Sequence, residues 1–184
     1  MTNSLSQRLD RPVVLVGLMG AGKSTIGRRL ARRLELPFVD SDDAIIDASG
    51  YTPTEIFERF GEEDFRDGER RVVARLIDEG DIQVIATGGG AYTDAQTRKL
   101  LNAKSITVWL DAEVDILAER TRRPDTRPLL KGGVKERRKI LADLADKRRD
   151  DYAKAHLHVR SGKGAHDVVV DAILDALSSH LEEK

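Results

Sequence analysis

The chain contains no cysteine, which excludes a disulfide framework, a thiolate metal site and a thiol nucleophile, and suits a reducing compartment. Aromatic residues make up only 4% of it, and its 31 basic and 32 acidic residues nearly cancel. Neither a base-stacking platform nor a broad positive field therefore marks it for nucleic acid. No apolar run approaches the ~18 residues of a membrane span, and residues 1–11 are polar with no apolar leader. Its four histidines are scattered, so no Ser-His-Asp arrangement can be built on them. These absences leave an expected cytoplasmic protein that acts on small molecules, with no nucleic-acid or membrane partner; a monomer is expected, though no residue pattern carries that. Its 184 residues fit one domain over 1–184, long enough to bury a single core without metal or disulfide support.

What is present begins with a phosphate-binding loop. Gly17-Leu18-Met19-Gly20-Ala21-Gly22-Lys23-Ser24 follows the apolar run 13–16 and opens a helical pattern, the strand, G-x-x-x-x-G-K-[ST], helix order of a P-loop. Over residues 17–25 the glycines let successive backbone N–H groups curl round an anion. Lys23 supplies a cation that reaches the β- and γ-phosphates, and the Ser24 hydroxyl suits Mg²⁺. Gly20, Ala21, Gly22, Lys23, Ser24 and Thr25 are thus the expected nucleotide contacts, and a nucleoside triphosphate with Mg²⁺ the expected co-substrate and cofactor.

Five short apolar runs, 13–16, 37–39, 82–86, 106–110 and 156–159, read as parallel strands separated by helical patterns. In the first helix Ile26, Leu30 and Leu34 recur every four residues with Arg28, Arg29, Arg32 and Arg33 on the other side, while Gly27 and Ala31 permit close packing on a sheet. Further helices are expected over 41–49, 53–60, 62–79, 94–101, 113–122, 134–151 and 166–180. The alternation implies an α/β doubly wound parallel sheet whose ligands gather at the carboxyl ends of the strands. Residues 122–133, with two prolines, two glycines and four basic residues, read as a mobile loop.

Two strand ends offer a carboxylate for the metal. Asp111 closes an apolar run of Walker B appearance, and Asp40 closes a shorter one. Either acid could instead cap the following helix. Asp40 is favoured because Asp42 stands two residues on, so that one carboxylate can serve the metal while the other reaches an acceptor hydroxyl.

At this point the chain resembles the shikimate kinases, small P-loop enzymes that phosphorylate the 3-hydroxyl of shikimate with ATP. The ordered set is the P-loop, Asp40-Ser41-Asp42, Gly61-Glu62 with Phe65-Arg66, Gly88-Gly89-Gly90, Arg127-Pro128-Leu129-Leu130 and Lys147-Arg148. The resemblance implies a nucleoside monophosphate kinase type of fold, three layers around a five-stranded parallel sheet, with a mobile lid over about 121–133 and an acceptor region over about 41–70. It implies Ser24 and Asp40 on the metal, and Asp42, Lys23 and Arg127 as the catalytic group, with Asp42 as base or positioning residue. Arg66, Arg148 and the loop Gly88, Gly89 and Gly90 would hold the acceptor. Arg127 would close over the phosphates, with Arg120, Arg122, Arg123 and Lys131 as nearby alternatives, and Arg120 matches a family position that packs on the adenine.

Local chemistry agrees. Shikimate is a carboxylate bearing hydroxyls, which calls for arginine forks at one end and a carboxylate at the other. Arg66 precedes Glu69 by three and Val73 by seven, facing inward with an acid able to orient it, and Arg148 falls on the apolar stripe of Leu141 and Leu144. Arg70, Arg71 and Arg149 read as surface or structural residues. The chain departs from the family's pattern at Arg160-Ser161-Gly162-Lys163-Gly164-Ala165-His166, where an arginine and a proline commonly flank the adenine; base recognition there falls to backbone groups or Lys163. His156 and His158 stand at strand spacing but lack a third metal ligand, and the basic run 135–149 is interleaved with acids, as in a solvated helix face. The rival readings are another small-acceptor kinase, such as a gluconate or nucleoside monophosphate kinase, and an NTP-dependent switch.

Overall fold

The computed structural model describes residues 2–121, 130 and 132–183. Its centre is a five-stranded parallel sheet of order β2-β3-β1-β4-β5, formed by β1 (Val13–Val16), β2 (Phe38–Asp40), β3 (Val84–Ala86), β4 (Ile106–Asp111) and β5 (Leu157–Arg160). Val13 pairs with Val84 on one side and Ile106 on the other, which makes β1 the middle strand. All four β1 residues are fully buried, as an all-apolar strand covered on both faces must be. The phosphate loop therefore leaves the most enclosed strand at the carboxyl edge of the sheet.

The helices are α1 (Thr2–Arg8), α2 (Lys23–Leu34), α3 (Ser41–Ser49), α4 (Pro53–Glu79), α5 (Ala95–Lys104), α6 (Val114–Arg120), α7 (Val134–Tyr152) and α8 (His166–Glu182). In α2 the residues Ile26, Gly27, Leu30, Ala31 and Leu34 are buried, and the arginines between them are exposed. Gly27 earns its place by proximity, since a Cβ there would come within 2.6 Å of Phe38 Cε2. On its outer side Arg29 and Arg33 reach Asp167 and Asp171 of α8, each at 3.0 Å.

Several boundaries differ from expectation for identifiable reasons. The two helices expected over 53–60 and 62–79 join into α4, interrupted at Gly61, whose φ of 89° and ψ of 173° are not helical. The start of α4 is fixed by a reciprocal pair in which Thr52 Oγ1 accepts from Glu55 N and Glu55 Oε2 accepts from Thr52 N, with Pro53 at the first helical position. Strand β2 lies one residue later than expected and ends on Asp40. The unexpected α1 is anchored by Leu5 and Leu9, both buried in the main core. A 3₁₀ turn over Ala91–Thr93 follows the three glycines.

Candidate active site

At the carboxyl edge of the sheet a cavity of about 490 Å³ is walled by the phosphate loop, Asp40, Asp42, Thr87 to Gly89, Arg120 and His166. The loop is shaped by Gly20 and Gly22, whose φ values of 84° and 93° lie in the left-handed region that glycine alone enters freely. Lys23, the first residue of α2, is buried and donates from Nζ to Gly17 O at 2.7 Å and Leu18 O at 2.9 Å. The cation is thereby held at the floor of the loop, where a polyphosphate would meet it. Thr25 is exposed at the cavity wall.

The next residue, Ser24, donates its hydroxyl to Asp40 Oδ2, while Asp40 Oδ1 accepts from the Asp42 backbone N–H at 2.9 Å. Asp40 thus joins the loop and also caps α3, as the capping reading of this acid expects. Asp111 instead meets His158 Nε2 at 2.9 Å and does not cap α6, whose N-cap is Glu113. A hydroxyl and a carboxylate are hard oxygen donors, and the neighbouring Asp42 and Glu69 concentrate negative charge. That donor set fits Mg²⁺, which takes few protein ligands and completes its shell with phosphate and water.

Asp42 is mostly withdrawn from water, and burial, Asp40 and Glu69 push its carboxyl up to about 6 against the opposing pull of Lys23. A Cβ on Gly88 would stand 3.1 Å from Asp42 Oδ1 and 3.0 Å from Glu69 Oε2, so both carboxylates flank the start of the glycine loop. Glu69 is 3% exposed and accepts from Arg66 Nη1 at 2.7 Å. Burial raises the proton affinity of Glu69 and Arg66 opposes it. A Cβ on Gly90 would overlap the Arg66 guanidinium, so the absence of a side chain makes room for the arginine. From α7, Arg148 donates to Gly89 O at 3.1 Å. The expected acceptor residues Asp42, Arg66, Gly88, Gly89, Gly90 and Arg148 are brought together around one loop.

Arg120, at the end of α6, donates to Gly20 O and Ala21 O at 3.3 and 3.2 Å and to Gly162 O at 2.9 Å. It ties the phosphate loop to the segment after β5. Ser161 Oγ adds a donation to Ala21 O at 3.0 Å. Lys163 lies 3.9 Å from Glu119. Arg127 lies outside the described residues, as do Arg122, Arg123 and Lys131. Arg70, expected at the surface, bonds Asp94 and Asp67, and Arg149 places its guanidinium carbon 5.9 Å from the Trp109 ring centroid. His156 and His158 have separate partners in Thr107 and Asp111.

Sequence reasoning missed three residues. Ser41 is fully buried and its hydroxyl accepts from Gly88 N at 3.1 Å; His166 lines the nucleotide-side cavity; Tyr152 donates to Gly89 O at 2.5 Å. The contacts of Ser41 and Tyr152 join segments 47 and 63 residues apart, beyond any local pattern. His166 was visible as the residue opening the last helical pattern and closing the segment 160–166 beside the adenine, but without a role of its own.

Known proteins resemble this chain over most of its length. A family model described as shikimate kinase matches residues 19–178. A shikimate kinase of Caulobacter vibrioides is 50% identical over 177 residues, covering 96% of this chain and 87% of the relative. The solved structure of an Acinetobacter baumannii shikimate kinase in complex with shikimate superposes with a TM-score of 0.87 at 38% identity, covering 92% of this chain and 94% of that one. A gluconokinase from Sinorhizobium meliloti reaches a TM-score of 0.62 at 18% identity, over 94% of both chains, a likeness of fold alone.

Proposed function

This chain belongs to the shikimate kinase family, and from that membership we infer its reaction: the γ-phosphoryl group of ATP passes to the 3-hydroxyl of shikimate, giving shikimate 3-phosphate and ADP. The observation that carries the reading within this molecule is the position of Asp42. It is half-buried beside Gly88 and Glu69 and within the electrostatic reach of the Lys23 cation of the phosphate loop, where a nucleotide's terminal phosphate and a hydroxylated carboxylate would meet.

We propose the following division of labour. The glycine-rich loop and Thr25 bind the phosphates, and Lys23 offsets their charge. Arg66, Arg148 and the glycine loop hold shikimate, the arginines by matching their planar forks to its carboxylate. Asp42 accepts a hydrogen bond from the 3-hydroxyl and aims its oxygen at the γ-phosphorus. The new oxygen–phosphorus bond forms as the bond to the β,γ-bridging oxygen breaks, ADP carries that oxygen away, and Asp42 takes the hydroxyl proton. When bound with the nucleotide, Mg²⁺ would be held by Ser24 and Asp40 and would supply charge compensation on the phosphates. Arg127 on the segment 121–133 would add a cation on closure and exclude water. Arg120 would face the nucleoside while bracing the loop.

The proposal extends to one catalytic domain over 1–184, acting as a monomer in the cytoplasm. In support, the described strands form one sheet, and among the described residues no helix is long and apolar enough to cross a membrane.

The test is ADP release with purified protein, Mg·ATP and a panel of shikimate, gluconate and nucleoside monophosphates. Turnover with shikimate alone is expected. Comparable turnover with gluconate would favour the rival kinase, and ADP release indifferent to every acceptor would favour the switch.

A further inference from the structure

The three glycines after β3 carry no side chains to fix their peptide planes; what fixes the middle one comes from α7. The Gly89 carbonyl oxygen accepts two hydrogen bonds, from Tyr152 Oη at 2.5 Å and from Arg148 Nη1 at 3.1 Å. The donors stand four residues apart, on one face of the helix. Tyr152 is 1% exposed, and its ring is held between Tyr92, with centroids 6.4 Å apart, and Trp109, with centroids 5.9 Å apart. This aromatic stack sets the ring, and the ring sets the aim of the hydroxyl. Burial pushes the phenol above its ordinary value, so it keeps its hydrogen and remains a donor at neutral pH.

The other side of the same peptide matters for ligand binding. Gly89 C=O and Gly90 N–H point opposite ways across a trans peptide, so pinning the carbonyl on the α7 side turns the Gly90 N–H away from α7. Among the described residues, neither the Gly89 N–H nor the Gly90 N–H has a protein acceptor. Main-chain donors with no protein partner require water or a ligand.

We propose that Tyr152 is a positioning residue for the acceptor: its hydroxyl holds the Gly89 peptide so that the loop presents its amides to shikimate, and by sharing the carbonyl it leaves the remaining N–H groups of Arg148 for the ring carboxylate. This rests on the reading of Gly89 and Arg148 as acceptor contacts. Gly89 borders the phosphate loop, but Tyr152 and Arg148 line none of the phosphate-loop cavity, so the effect is expected to fall chiefly on shikimate.

Tyr152→Phe deletes the hydroxyl and keeps the stack. Calorimetric titrations with shikimate and with a non-hydrolysable ATP analogue, together with steady-state kinetics, are the measurement. The Kd and KM for shikimate are expected to rise about fivefold, the loss of one hydrogen bond, while nucleotide affinity and kcat stay within about twofold. The Gly90 amide ¹⁵N resonance of the free protein should move as well, since its peptide loses a bond at the carbonyl. Arg148→Ala serves as the companion variant and should weaken shikimate more severely. Unchanged shikimate affinity in Tyr152→Phe beside a weakened Arg148→Ala would overturn the positioning role, as would a parallel loss of both ligands. If neither variant alters shikimate affinity, the acceptor-site reading and this proposal fall together.

Discussion

In its proposed role, Asp42 sets function against stability. Its folded-state proton affinity is raised to about 6 from an ordinary 3.8, chiefly by burial and then by Asp40 and Glu69. Between those values the folded chain binds the proton more tightly than the unfolded one, so stability falls as pH rises through this window and levels off above it. Asp42→Asn is therefore expected to flatten that dependence and to stabilise the free protein at pH 8 by about 1–3 kcal/mol, read from thermal unfolding across pH. The same variant should lose roughly 10²- to 10⁴-fold in kcat if the carboxylate takes the proton. In the parent, kcat/KM for shikimate should climb through about pH 6 as free Asp42 ionises. A variant with native turnover would remove Asp42 from the reaction.

Among individual residues, those that share a short segment were readable in the chain. Ser24 follows Lys23 in a contiguous motif, and Asp40 and Asp42 stand two apart, so local geometry nearly fixes what they can reach. Arg66 and Glu69 were readable as a pair because three residues along a helix place side chains on one face. Ser41 and Tyr152 were not, because nothing about a serine in a first turn or a tyrosine in a last turn announces which distant peptide it will meet.

At the scale of elements, Gly61 is the informative position. Its φ of 89° with ψ of 173° lies in a region accessible essentially to glycine, and a Cβ there would meet nothing within 4 Å. Backbone strain alone thus opposes a side chain. Gly61→Ala is expected to cost about 1–3 kcal/mol in denaturant unfolding, and to raise the KM for shikimate more than that for ATP, since α4 carries Arg66 and Glu69. No loss of stability would mean that the break has no conformational requirement. The glycine was readable as an interruption of helical periodicity, whereas the continuity of α4 across it was not. α1 escaped notice because two buried leucines in a short polar segment make too little pattern to separate from a tail.

At the scale of the whole molecule, the fold was readable because strand and helix patterns alternate so regularly that a parallel doubly wound sheet follows from connection rules. The order of strands was not, since β1, β3 and β4 are similarly apolar and their pairing is settled by packing. Long-range ties then unite the edge of the sheet. Arg120 bonds the phosphate loop on one side and Gly162 on the other, so Arg120→Ala removes charged donors worth about 1.5–3 kcal/mol and should raise the KM for ATP tenfold or more. Shikimate binding to the free protein should be nearly unaffected. An equal loss for both substrates, measured by calorimetry, would show that the brace supports the entire sheet edge and not the nucleotide side.

The two oxygens of Asp40 have different partners, one the Ser24 hydroxyl and one the backbone N–H of Asp42 in the opening turn of α3. One side chain therefore ties the phosphate loop to the turn from which Asp42 projects. Any coupling of the two substrates through this shared side chain would be reciprocal, each changing its companion's affinity by the same factor, which calorimetric titration of one in the presence and absence of the other measures.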